Sequence, residues 1–221
     1  LEFLPLAISS VSGLMHDQSL RLEDLQLQAT DKVNEVMKQA LDYARAQPEL
    51  GNILNVAAFV NPDAITLELL GGDMTAVSRL CNMSLLRWVR GDIYSMHRLH
   101  QDVLRRSHSP GAALDAVERV LQGFNDRDSS TFALGKSMSA HVEAMIRHGG
   151  AVTDGQEREK LAKVMSINGA VLRADFRYQA AEDTFLEVLE MQRHVYGADA
   201  KNTDLARTLQ NLGVVYERRG N

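Results

Sequence analysis

The stretch SLLRWVRGDIYSMHRLHQDVLRR, Ser84–Arg106, decides how the chain is to be read. Two apolar-aromatic runs, Leu85–Val89 and Ile93–Met96, flank Arg90-Gly91-Asp92, and Gly beside Asp supplies the unusual φ of a tight hairpin. The stretch therefore predicts a two-stranded wing. Its second run leads straight into a helical pattern with Leu99, Val103 and Leu104 on one face. Met96-His97-Arg98 sets an imidazole at the strand-to-helix junction, where the unpaired N–H groups of a helix start favour anions.

Upstream, Leu4-Pro5-Leu6-Ala7 opens a helix to about Met15, with Pro in the first turn, where its missing N–H costs nothing. Leu6, Val11, Leu14 and Met15 form its buried face, and Gly13 permits close packing. Leu20–Leu27 is a short amphipathic piece. Thr30-Asp31 is placed to cap a helix over Lys32–Ala46, which carries Val33, Val36, Met37, Ala40 and Leu41 inward and is stopped by Pro48. Leu50–Val60 predicts an apolar helix that ends at Asn61-Pro62. Asp63–Leu70 and Asp73–Met83 read as two short helices, the second capped by Asp73 or Thr75 with Val77, Leu80 and Cys81 inward. Three helices followed by a hairpin is the winged-helix order.

Downstream the pattern is purely helical. Ala112–Phe124 places Leu114, Val117, Val120 and Leu121 on one face, and Ser130–Ile146 follows a polar loop. Gly149–Gly155, with three glycines, is the best linker in the chain. Beyond it lies an internal repeat: Gly169 and Gly213 stand 44 residues apart, and the same offset lays Met165 over Leu209, Leu172 over Tyr216 and Phe176 over Gly220. Ala181 and Phe185 follow Gly169 as an A-x3-F on a second helix, Tyr178–Val195. This is tetratricopeptide spacing, lengthened beyond the usual repeat. Asn168 departs from it, since the second unit carries Leu212 there. The second unit lacks its own second helix, and one and a half repeats cannot bury their own face, so more repeats are expected downstream.

A chain of 221 residues with 45% apolar and 24% charged side chains can bury a core unaided. A net charge of −5 argues against general nucleic-acid or membrane-surface binding. The lone Cys81 cannot close an intrachain disulfide, which implies a reducing, cytoplasmic setting. The start has an acidic residue and no cationic region, and no apolar run reaches bilayer length, so neither a signal peptide nor a membrane helix is expected. Leu1 is not an initiator and the last helical pattern lacks a partner. The chain reads as a piece of a longer protein.

Taken in order, Leu4-Pro5-Leu6-Ala7, Asn55–Leu70, Ser84–Arg106 and the tetratricopeptide units resemble the second half of an NB-ARC signalling ATPase of the STAND class, the NOD-like receptor type, leading into repeats similar to those of kinesin light chains. The resemblance implies a helical subdomain over 1–47, a winged helix over 48–108, a helical connector over 109–155 and repeats over 156–221. In that family the Gly-Leu-Pro-Leu proline packs on the adenine of ADP, a position that matches Pro5, with Phe3 in place of Gly. The Met-His-Asp histidine bonds the β-phosphate and holds the inactive form, a position that matches His97, with Arg98 in place of Asp. ADP or ATP would thus be the cofactor of the full-length parent. The phosphate-binding loop G-x-x-x-x-G-K-[ST] is not in these 221 residues, so this piece alone is expected neither to hydrolyse nor to bind nucleotide tightly. Partners implied are an upstream P-loop domain, a protein or peptide on the repeats, and other copies of the parent in an oligomer.

Plainer readings stand beside these. A junction histidine is more often packed or solvated than a ligand, and Cys81, His97 and His100 lack zinc-site spacing. Arginines between Val77 and Arg106 allow a DNA-binding wing, but Asp73–Met83 offers only Arg79 and Asn82 for base reading. No hydrolase motif is present. The expected architecture is mainly α: helical subdomain, winged helix with one β-hairpin, and a tetratricopeptide solenoid marked by Gly169, Leu172, Ala181, Phe185, Leu209, Leu212, Gly213 and Tyr216.

Overall fold

Pro48 at the first turn of a helix, with no N–H to satisfy, starts the segment that anchors the N-terminal half: α2 (Pro48–Phe59), buried at Leu50, Ile53, Leu54, Val56 and Phe59 among others. A helix apolar nearly all round must be enclosed, and α2 is packed by α1 (Lys32–Arg45), α3 (Met74–Asn82) and α4 (Arg98–Arg105). The computed structural model describes residues 12–13, 32–148, 152, 154–197 and 202–220; the expected N-terminal helix and Leu20–Leu27 lie almost wholly outside them. Of that helix Gly13 is described, and a Cβ there would overlap the Asn82 carbonyl, the close approach expected of it.

The described residues are mainly helical, with nine α-helices and one small antiparallel sheet. None of these helices is long and apolar enough to cross a membrane. They fall into two units, Leu1–Ser109 and Pro110–Asn221.

In the first unit β1 (Ile65–Thr66), β2 (Arg87–Arg90) and β3 (Ile93–Ser95) lie in the order β1-β3-β2. Ile65 faces Tyr94, Trp88 also faces Tyr94, and a bulge at Val89 brings Arg90 opposite Ile93. Gly91 turns the hairpin at φ 52°. The helix expected over Asp63–Leu70 is not formed. Ile65 and Thr66 are β-branched and pair with β3, the Thr66 hydroxyl accepts from the Leu69 N–H, and Gly71 and Gly72 take left-handed φ that ends the turn. Asp73 caps α3 by accepting from Ala76 N–H at 3.0 Å, with Val77 and Leu80 buried and Cys81 half-buried.

The apolar face expected for α4 is also revised. Leu104 is buried, but the rest of the buried face is His100 and Gln101, while Leu99 and Val103 are only half-buried. The cause is the C-terminus of α2, whose last carbonyls have no partner within their own helix. Gln101 Nε2 donates to Ala57 O at 2.7 Å and Val60 O at 2.9 Å, and Arg105 donates to Ala58 O at 2.6 Å.

In the second unit α5 (Gly111–Leu121), a 3-10 turn at Ser129–Thr131 and α6 (Phe132–His148) pack against α7 (Gly155–Ala174). Asp154 caps α7 at Gln156 N–H, so the chain re-enters helix at Gly155. Next, α8 (Tyr178–Tyr196) packs on α7, and α9 (Thr203–Arg219), capped by Asn202, packs on α8. Leu172, Ala181, Phe185, Leu189, Leu205, Leu212 and Val215 make one core among the three.

Candidate functional site

His97 lies where the sequence places it, between β3 and α4. It is the N-cap of α4, with Nδ1 accepting from Leu99 N–H at 3.2 Å. Because Nδ1 accepts, the neutral ring carries its proton on Nε2. Arg98 is exposed and forms a loose ion pair with Asp63 at 3.4 Å. Pro5 lies outside the described residues.

His97 and Arg98 border a cleft of about 740 Å³ in the first unit. Its walls include Leu85, Leu86 and Met96, all buried, together with Cys81, Ser84, Arg87 and Trp88. Ser84 takes φ 56°, a left-handed conformation costly for a residue with a Cβ, in the four-residue connection, Met83–Leu86, between α3 and β2. Trp88 is 60% exposed, yet its indole N–H is tied to Gly91 O at 2.9 Å. Burial pushes the Cys81 thiol above its ordinary value, with a backbone contact to Trp88 acting the other way, so it is not a thiolate nucleophile near neutral pH.

Behind His97 sits His100, fully buried, its ring centroid 6.1 Å from that of His97. Neither ring nitrogen makes a well-formed hydrogen bond. Burial first, and the neighbouring His97 second, lower its pKa to about 4; the Leu85 backbone opposes them only weakly. His100 is therefore a neutral core residue near pH 7. Among the described residues no three His, Cys, Asp or Glu side chains come together as a metal-binding group.

In the second unit the predicted repeat positions are distributed unevenly. A Cβ on Gly169 would stand 2.6 Å from the Phe185 ring, and Ala181 and Phe185 are fully buried in one core. Leu172 and Leu212 are buried and Tyr216 packs partly against the same core. Gly213 has nothing within 4 Å of such a Cβ, and Leu209 is 48% exposed where its counterpart Met165 is fully buried. Phe176 and Gly220, paired by the 44-residue offset, both take left-handed φ, 61° and 78°, just past the ends of α7 and α9. Asn168, the departure from the pattern, is buried and accepts from the Ser139 hydroxyl at 2.6 Å, a polar link to α6.

A second groove, about 680 Å³, is lined by Asp126, Lys163, Arg173, Asp204, Arg207 and Asn211 among others. Its charges are mutually engaged: Arg173 reaches Asp126 and Asn211, Arg207 reaches Asp204, and Lys163 binds Glu159.

Sequence reasoning missed the capping role of Gln101 and Arg105, the burial of His100 and the place of Arg87 at the cleft. The only advance signal was the interruption of the α4 apolar stripe by polar residues. No protein-family model, curated protein or solved structure matches this chain.

Proposed function

We propose that this chain is the regulatory, protein-binding part of a nucleotide-switched signalling ATPase of the NOD-like receptor type. In this reading the first unit is a winged helix preceded by a helical subdomain, and α7 to α9 begin a tetratricopeptide array. The observation that carries it is His97: an exposed imidazole whose Nδ1 caps α4 at a strand-to-helix junction, beside Arg98 on a cleft. An imidazole so fixed suits a phosphate oxygen of ADP bound to an upstream P-loop domain, with Pro5 against the adenine. Nucleotide bridging two domains shifts an open/closed equilibrium by its difference in affinity for the two forms. The repeats take a protein or peptide ligand and couple it to this latch. This piece holds the latch, while any hydrolysis belongs to the P-loop domain.

The test is made in the complete polypeptide: ADP retained through purification is quantified for wild type and His97→Ala. One hydrogen bond to a charged oxygen predicts roughly ten- to a hundredfold faster ADP loss. Unchanged retention would leave the rival reading, a tetratricopeptide scaffold with a winged-helix docking or DNA-binding module. Against its DNA-binding form stands Arg79, the cation of α3, which is engaged by Glu49 at 3.1 Å and by Gln47. Absence of a DNA probe shift at low salt removes that form.

A further inference from the structure

Successive residues of a strand point to opposite faces of its sheet, so Arg87 and Arg90, an odd number of positions apart, would lie on opposite sides of a regular β2. The bulge at Val89 reverses this. Cross-strand partners share a face, and the register sets Arg87 opposite Ser95 and Arg90 opposite Ile93, with Thr66 of β1 beyond Ile93. All five residues therefore belong to one face. Trp88, Tyr94 and Ile65 make up the other, where Tyr94 and Ile65 are buried in the core, so the arginine face is the outer one. On it Arg87 and Arg90 are exposed, and Thr66, Ile93 and Ser95 are half-buried.

Among the described residues Arg87 and Arg90 make no ion pair and no side-chain hydrogen bond, a condition they share with Arg106. What sets the two apart is their placement as neighbours along one strand and on one face. Asp92, the one carboxylate of the hairpin, stands in its turn and engages neither. Two unpaired guanidinium groups so placed repel each other, and a ligand bearing carboxylates relieves that repulsion. Trp88 and Val89 between them are 60% and 39% exposed, and arginine beside exposed aromatic and aliphatic side chains is the composition of a protein–protein interface. A second copy meeting this face with the same face would set arginine against arginine. A nucleic-acid duplex would draw on further cations, and Arg79 of α3 is already held by Glu49.

We propose that the outer face of the β1-β3-β2 sheet docks an acidic segment of a partner protein, its carboxylates pairing with Arg87 and Arg90 and its apolar side chains covering Val89 and Ile93. The surface is carried by the hairpin register and does not depend on the latch reading.

Trp88 is the sole tryptophan and stands between the two arginines in sequence, so its fluorescence is followed with calorimetry in parallel. The 221-residue chain is titrated at low salt with a peptide that alternates Glu and Val, with its counterpart carrying Gln for Glu, and with a duplex oligonucleotide. Saturable binding of the Glu peptide is expected at roughly millimolar order, with the Gln peptide about tenfold weaker. Arg87→Gln and Arg90→Gln should each weaken the Glu peptide about threefold and the double variant about tenfold, with unchanged circular dichroism spectra. Arg106→Gln, equally unpaired but outside the sheet, should leave the affinity as it is. Equal affinity for the two peptides, a loss in Arg106→Gln as large as in Arg87→Gln, or no saturable binding by either method overturns the inference. Tighter binding of the duplex than of the Glu peptide, lost in the double variant, gives the face to nucleic acid and overturns it as well. So does self-association of the chain that the double variant abolishes, which gives the face to a second copy. ADP retention in His97→Ala is a separate readout, so the docking surface and the latch can each fail alone.

Discussion

Gly169 and Gly213, which the 44-residue offset lays over one another, live in opposite surroundings. At Gly169 the Phe185 ring lies so close that a methyl group has no room, while around Gly213 the space is open and Leu209 is half in solvent. Both are glycines inside an α-helix. The difference is the second helix: α8 covers α7, and no described helix plays that part for α9. A small residue in a helix thus marks a contact only when the facing element is present; alone it costs helix stability, about 1 kcal/mol relative to Ala.

The largest expected effect breaks the filled copy. Phe185→Ala removes a fully buried ring and leaves Gly169 facing a cavity, and should destabilise the second unit by about 3–5 kcal/mol in denaturant titration. Unfolding of the two units must be separated for that value to be read, and pH provides the separation. His100 in the first unit is held neutral, with its pKa lowered from the ordinary 6.5 to about 4, so the unfolded chain takes up a proton there before the folded one does. Its contribution is complete above pH 6.5 and is lost as pH falls toward 4. The loss is about 3 kcal/mol in all, measured as a fall in stability that His100→Leu should abolish.

Smaller changes compare the glycines themselves. Gly169→Ala should destabilise by roughly 1–3 kcal/mol because the ring it meets is buried and cannot yield, whereas Gly213→Ala should stabilise by about 0.5–1 kcal/mol through helix propensity. Equal effects at the two sites, in either direction, would end the comparison. The smallest pair tests the helix ends. Phe176 holds a left-handed backbone that suits glycine, so Phe176→Gly should gain about 1 kcal/mol and Gly220→Ala should lose a similar amount, both read as midpoint shifts in thermal melts.

Much of this fold was legible in advance where local chemistry is strong. The turn at Gly91, the cap at Asp73, the stop at Pro48 and the junction at His97 follow from backbone rules that act within a few residues. Legibility failed where a polar side chain serves a distant backbone. Gln101 and Arg105 look like surface residues in sequence, and they are drawn in because the end of α2, more than forty positions away, exposes carbonyls that need donors. The same limit explains Ile65–Thr66, which pairs as a strand because β3 is beside it. At the cleft, His97 and Arg98 were readable from their junction, but the place of Arg87 on its wall was not, since that depends on how the fold sets the hairpin beside α4.

By itself the sequence determined the helical character of the chain and the hairpin, because periodicity, capping and turn chemistry are local. Tertiary structure alone decided which glycine of the 44-residue pair is covered, which arginines find a carboxylate and that the buried His100 ring makes no well-formed hydrogen bond. Those outcomes depend on what lies across from a residue, and facing elements are joined by packing and electrostatics that no short window of sequence contains.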